Sequence, residues 1–409
     1  MKFKKSVGLL LSSALTVGIL AACSSGGSSS TTEPESTGTE TETETSGENT
    51  VIKIATQSPL SGGSAILGEA LKLGAQLKLE EEIAKFEELG YTLQLEPYDD
   101  QGDPKKGVSN ANIIGTDDAI YGVVGHLNSG VQIPSTEVYE KYNIVSVSPA
   151  ATATDVTDRG LSTVNRIVAR DDFQGPAGAE FAVNELGAKA IFVINDKTAY
   201  GVGLADAFRD AAAELGAEIV GEGSVTVGEK DFNGVINQIT TAKPDLVYFG
   251  GLYSEAGILI KQARDKGLDI PFMGGDGLDS SGLVDIAGDS VIGTYITSVA
   301  GSSETSESGK AFVEAYRAAF NKEPESYSVY GYDAMGVLLQ GLENAITDNG
   351  GELPSKADVA AAVRAIQNFE GALTTVSFDE KGDNVNAKVF IYEFAEAAYP
   401  PVQVGEVSQ

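Results

Sequence analysis

The chain has 409 residues, 42% hydrophobic and 21% charged, which suits two domains of ordinary size with buried cores. A formal net charge of −31 makes it a polyanion, which excludes ready binding to nucleic acid or to an anionic membrane surface and fits solubility outside the cell. A single cysteine, Cys23, rules out a disulfide within the chain, and a single histidine, His126, is all that Ser-His-Asp chemistry would have to draw on.

Lys2, Lys4 and Lys5 make the front basic, Ser6 to Leu20 is largely apolar, and Leu20-Ala21-Ala22-Cys23 closes the stretch. That order marks a secretory signal over 1–22 rather than a membrane span. The Leu-Ala-Ala-Cys ending resembles the lipobox of bacterial lipoproteins. The resemblance implies that Cys23 is lipidated, becomes the new N-terminus and anchors the protein outside the bacterial cell membrane. Residues 24–50 are nearly all Ser, Thr, Gly and Glu, with six glutamates and no aromatic residue. Such a segment cannot bury enough apolar surface to offset ordering, so 23–50 reads as a lipidated cysteine and a disordered acidic tether. Its typical span is about 30 Å. No other run reaches the roughly eighteen apolar residues of a spanning helix.

From Val51 onward, apolar runs alternate with helical periodicity. Strands are expected at 51–56, 91–97, 119–125 and 143–148, with helices near 66–88, 104–115 and 131–142 between them. A second series has strands near 163–168, 189–194, 217–224, 245–250, 271–274 and 291–297, with helices near 173–186, 201–215, 231–241 and 254–266. Helices at 309–321, 328–347 and 355–368 and a β-rich tail over 374–395 complete the chain. Repeated βα units imply parallel sheets with helices on their faces. The late helices have no sheet of their own, so the chain is expected to cross between two lobes more than once.

The strand ends carry the functional signal. One apolar strand runs into His126-Leu127-Asn128-Ser129-Gly130 and then a helix; another ends in Ser148-Pro149-Ala150-Ala151-Thr152-Ala153-Thr154. Small hydroxyl residues and free amides at a helix start favour an anion, and this edge of an open α/β sheet is where small ligands sit. The same residues are ordinary helix caps, and spacing alone does not separate the two roles. Three further strand ends place Tyr200, Tyr253 and Asp276 beside glycines that permit close approach. Packing and turn roles for Tyr200 and Asp276 stay open at this level.

The whole layout from Val51 to Val402 resembles the type I periplasmic-binding-protein family, specifically the substrate-binding components of branched-chain amino-acid and amide ABC importers. The resemblance rests on YDDQGDP at 98–104, GHLNS at 125–129, SPAATAT at 148–154, QGP at 174–176, YGVG at 200–203, GEKDF at 228–232, GGDG at 274–277 and FDEKGD at 378–383, all in order. It implies an α/β fold of two Rossmann-like lobes with parallel sheets joined by a three-segment hinge. Lobe one would comprise 51–170 and 299–374, lobe two 171–298 and 375–409, with hinges near 168–171, 298–301 and 371–375. It also implies a zwitterion clamp. Ser129, Thr152 and Tyr200 would hold a ligand carboxylate; the Ala150 carbonyl, Thr152 and Asp276 would accept from its ammonium. Leu67, Leu127, Asn128, Leu252 and Tyr327 would line the side-chain pocket. Family members often have aromatic residues at the positions of Leu67 and Leu252, and some carry a disulfide joining those of Gly102 and Asn128, where both cysteines are absent here.

The function so implied is a monomeric, lipid-anchored receptor that captures an amino acid, most readily leucine, isoleucine or valine, and delivers it to an ABC permease and ATPase. No enzyme activity, cofactor or metal is expected. A hydrolase would need motifs such as G-x-S-x-G or H-E-x-x-H, which are absent. Asp99, Asp100 and Asp103 suit turns and caps better than a metal. A sensor of the same fold signalling to a membrane kinase is the alternative output, and a different amino acid, a short amide or urea the alternative ligand.

Overall fold

The structure, a computed structural model, describes residues 49–408. The signal segment 1–22, Cys23 and nearly all of the tether lie outside the described residues; Thr50, assigned to the tether above, opens the first strand.

The first half of the chain builds β1 (Thr50–Ser58), α1 (Ala65–Glu88), β2 (Tyr91–Asp99), α2 (Pro104–Thr116), β3 (Ile120–Gly125), α3 (Ser129–Tyr142), β4 (Val145–Ser148), the short α4 (Asp155–Asp158) and β5 (Val164–Arg166). The strands form one parallel sheet in the order β2-β1-β3-β4-β5. Every residue of β3 is buried, as a central parallel strand covered on both faces requires. The strand expected at 163–168, counted with the second series by chain order, is the edge of this first sheet.

The chain continues through α5 (Asp171–Glu180), β6 (Ala190–Asn195), α6 (Ala199–Glu214), β7 (Glu218–Ser224), α7 (Asn233–Ala242), β8 (Leu246–Gly250), α8 (Tyr253–Asp265), β9 (Phe272–Gly274), α9 (Ser281–Ala287) and β10 (Thr294–Ser298). Then come α10 (Glu307–Phe320), α11 (Ser326–Asp348), α12 (Lys356–Arg364), the small ribbon of β11 (Phe369–Glu370) and β12 (Thr375–Val376), β13 (Lys388–Glu393) and β14 (Val402–Ser408). The second sheet is ordered β14-β13-β10-β9-β8-β6-β7. Its first five strands in the chain are parallel; β13 and β14 return antiparallel at one edge.

The late helices pack on the first sheet and on α1. Contact between α1 and α11 is close: a Cβ on Gly74 would lie 1.7 Å from the Ser328 carbonyl oxygen, and one on Gly331 would lie 2.2 Å from that of Leu71. The third crossing between the sheets differs from expectation. Residues 377–384 remain with the first sheet, where Arg166 pairs with Asp383 by a backbone bridge and the Arg166 amide donates to the Gly382 carbonyl at 2.8 Å. The chain therefore crosses between Asn384 and Lys388, the start of β13, rather than at 371–375.

Because backbone oxygen cannot be displaced as a flexible side chain can, Gly74→Val should destabilise the protein by about 3 kcal/mol, the upper part of the usual overpacking range. Denaturant unfolding checks this; an unchanged midpoint would show that α1 and α11 separate freely.

Candidate ligand-binding cleft

Two loops at adjacent strand ends form one wall of the cleft. β3 ends on Gly125, whose φ of +148° and the 2.3 Å separation of a Cβ there from the Gln57 carbonyl oxygen both demand glycine. The next residue, His126, is fully buried and is a brace. Its Nδ1 lies 3.1 Å from Asp100 Oδ2, its Nε2 3.1 Å from the Tyr139 hydroxyl, and its amide donates to Gln132 Oε1 at 3.0 Å. The loop after β4 is tied to it. Ser148 Oγ donates to the His126 carbonyl at 3.3 Å and accepts from the Ala151 amide at 3.0 Å; Ser129 Oγ accepts from the Ala153 amide at 3.2 Å. Ser129 opens α3, so its amides belong to a helix start without intrahelical acceptors. Thr152 is fully buried, and its hydroxyl has no partner among protein groups.

The opposite wall is organised around Asp276, only 3% exposed. It follows β9 in a short 3-10 turn, and its amide donates to Gln174 Oε1 at 2.9 Å. Tyr200, in the first turn of α6, donates its hydroxyl to Asp276 Oδ1 at 2.8 Å and accepts from the Gly277 amide at 3.0 Å. Thr198 caps that helix through the Gly201 amide at 2.9 Å, which fixes where Tyr200 emerges. Tyr327, in the first turn of α11, donates to Asp276 Oδ2. Burial pushes the Asp276 carboxyl up, against the hydrogen bonds from Tyr327 and Tyr200 that favour its charge. None of the ion pairs among the described residues includes Asp276.

Between the walls lies a cavity of about 480 Å³ lined by Leu67, Leu127, Asn128, Ser129, Ala150, Tyr200, Leu252, Asp276 and Tyr327. Thr152, the remaining candidate, is fully buried and is not among the residues that line this cavity. The hydroxyls of Tyr200 and Tyr327 both donate to Asp276, and both residues line the cavity. Gly102 and Asn128 are neighbours: a Cβ on Gly102 would lie 3.5 Å from Asn128 Oδ1. That buried oxygen is itself unpartnered. The cavity also takes in Gln101, Lys197 and Ser254, which no pattern singled out. Asp99, Asp100 and Asp103 serve turns and caps: Asp99 accepts from the Leu60 amide at 2.9 Å, Asp100 from Gly102 at 2.9 Å and Asp103 from Lys105 at 2.7 Å. A larger cavity, about 610 Å³, lies where the chain crosses between the sheets, beside Val168, Val299 and Asn384.

Arg166, the last residue of β5, was not visible as a site residue. Its guanidinium is fully buried and donates to the carbonyls of Ala151 at 3.1 Å and Ala153 at 2.8 Å, which shapes the loop after β4. It also binds Asp383 Oδ1 through Nε at 2.9 Å and Nη2 at 2.6 Å. Asp383 Oδ2 accepts from Arg170 Nη1 at 2.9 Å. Burial works against the Asp383 charge, but Arg166 and Arg170 hold its carboxyl below the usual range.

Two α/β lobes crossed three times by one chain, with a cleft between their strand ends, define a two-lobed small-ligand-binding protein. The chain belongs to the periplasmic-binding-protein family, whose profile, described as periplasmic binding protein, matches residues 51–398. It is 36% identical over 344 residues to the Leu/Ile/Val-binding protein BraC3 of Rhizobium johnstonii, covering 84% of this chain and 91% of that one. Its fold is similar to that of a leucine-binding protein, LivK, from Thermotoga maritima, with a TM-score of 0.79, 28% identity and coverage of 87% and 98%. It is also similar to the branched-chain amino acid transporter substrate-binding protein LivJ from Streptococcus pneumoniae, solved with isoleucine, at TM-score 0.78, 25% identity and coverage of 88% and 99%. The family is one of substrate-binding transport proteins.

Removing Asp383 strands a buried guanidinium. Asp383→Ala should cost about 3–5 kcal/mol in denaturant unfolding. Since the Asp383 carboxyl is held low, the contribution of the pair is present above the ordinary carboxylate range and is lost as pH falls below it. A loss under 1 kcal/mol at neutral pH would show that Arg166 finds another counter-charge.

Proposed function

We propose that this protein captures a branched-chain amino acid (leucine, isoleucine or valine) between its two lobes and delivers it to an ABC importer, held at the outer side of the cell membrane by lipid on Cys23. The observation that carries the reading is Asp276, a buried carboxylate lining the cavity, supplied with hydroxyl donors but with no ion-pair partner among the described residues. Burying an ionised carboxylate is costly unless a positive partner completes it, and a ligand ammonium does so.

In this reading the ammonium meets Asp276 and the Ala150 carbonyl, and the carboxylate meets the amide and hydroxyl of Ser129 and the amide of Thr152. Tyr200 donates to whichever anion the ligand leaves unsatisfied. Leu67, Leu127 and Leu252 take the aliphatic side chain, with Tyr327 and Asn128 at its margins. Leucine-type specificity is supported by relatives whose names state Leu, Ile and Val binding and by a similar fold solved with isoleucine. Asp276 and Tyr200 are carried by the second sheet and its helices, Ser129 and Thr152 by the first. A ligand touching both sets therefore favours the closed form by its differential contacts. The proposed hinges are 168–171, 298–301 and the revised third crossing at 384–388, and a monomer suffices for the site.

Calorimetric titration of the ligand-stripped protein against the standard amino acids, acetamide and urea tests this. Leucine, isoleucine and valine should bind and the two uncharged amides should not. Asp276→Asn should weaken leucine binding by about 3–5 kcal/mol. Binding of an amide in place of any amino acid would overturn the zwitterion clamp, and binding confined to polar amino acids would overturn the pocket.

A further inference from the structure

Behind the cavity wall lies a cluster of buried polar atoms that the clamp does not use. Asp171 opens α5 and is 2% exposed, and no donor makes a well-formed hydrogen bond to either carboxylate oxygen, although the Thr152 hydroxyl lies near enough to favour its charge. Its amide donates to the Thr152 carbonyl at 2.9 Å, which binds it to the loop after β4. Its Oδ2 lies 3.9 Å from the position of a Cβ on Gly203 in α6, so the carboxylate is enclosed between α5 and α6. The Thr152 hydroxyl, Gln174 Nε2 and the Tyr248 hydroxyl are likewise buried without protein partners. Gln174, one turn along α5, reaches the Asp276 amide through its other atom, so the cluster adjoins the acidic end of the cleft.

The charged and titratable groups around Asp171 come from every neighbouring element. Arg166 of β5 acts on it favourably, but that guanidinium is already committed to Asp383 and to two carbonyls. Asp172 on the same helix and Asp276 after β9 oppose its charge, and the phenols of Tyr200 on α6 and Tyr248 on β8 sense it. A buried carboxylate without a well-formed hydrogen bond, opposed by a second buried carboxylate, is costly to ionise, and Gln174 links the helix that carries Asp171 to the Asp276 amide.

We infer that Asp171 and Asp276 form a carboxylate pair at the cation end of the cleft that holds one proton when the cleft is empty and gives it up when a ligand ammonium enters. Amino-acid capture is then linked to release of a proton to solvent. No bond other than that O–H is broken, and the incoming ammonium supplies the positive charge the proton supplied before. Burial, with Asp276 opposing its charge, pushes the Asp171 carboxyl up to about 8, a direction that favours a retained proton. The inference rests on the clamp proposed above.

Buffer-dependent calorimetry reads it directly. Leucine is titrated into the intact protein near neutral pH in phosphate, imidazole and Tris, whose ionisation heats differ, and the slope of heat against ionisation heat counts protons. The pair predicts release approaching about one proton per leucine and an affinity that rises up to about tenfold per pH unit until the pair is ionised. Asp171→Asn should still bind leucine but show no buffer dependence and a flat pH profile. Leucine binding to the wild-type protein with no proton release would overturn the inference while leaving the clamp standing, as would proton release that persists in Asp171→Asn. Failure of every amino acid to bind would remove the clamp itself, and the inference with it.

Discussion

A buried carboxylate with no cation of its own is the constraint from which the cleft follows. Asp276 needs donors on both oxygens, and the chain supplies them from two directions: Tyr200 from a helix on the second sheet and Tyr327 from a helix packed on the first. Satisfying one charge therefore draws the two halves together. The glycines beside it follow from the same crowding. A Cβ on Gly275 would lie 2.2 Å from Leu204 Cδ2, and one on Gly277 would lie 2.6 Å from the Gly251 carbonyl oxygen. The close approach that these glycines suggested in the sequence is realised as tight packing.

A second buried charge does comparable structural service on the opposite wall. Arg166 spends its donors on the carbonyls that shape the loop after β4 and on Asp383, which belongs to the segment leading into the third crossing. Burying an arginine this deeply costs several kcal/mol, so it is tolerated only where pairing and hydrogen bonds are complete, as they are here. One consequence is that the ligand loop and the proposed hinge share a rigid polar link. The close glycine contact of α1 with α11 stiffens the same half of the molecule and fixes where Tyr327 emerges.

Most of the α/β framework was legible because central parallel strands are uninterrupted apolar runs and their helices keep a clear period. The strand ends around Ser129, Ala150 and Asp276 were legible because small, hydroxyl and glycine residues cluster there. β14 was missed: it is a short edge strand after Pro400-Pro401 whose residues alternate between exposed and half-buried, a weak signal. The third crossing was misplaced because the pairing of residues near Asp383 with β5 is made by backbone groups that no side-chain pattern announces. Arg166 was illegible because its partner lies 217 positions away. Asp171 reads as an ordinary acid in the first turn of a helix, and only the packing of α5 on α6 reveals that it is buried and unpaired.

The most direct measurement is a crystal structure of the protein with leucine bound. The ammonium nitrogen is expected within hydrogen-bond distance of Asp276 and the Ala150 carbonyl, with the carboxylate on the Ser129 and Thr152 amides and the isobutyl group against Leu67, Leu127 and Leu252. Leucine bound with its carboxylate toward Asp276, or outside this cleft altogether, would contradict the assignment.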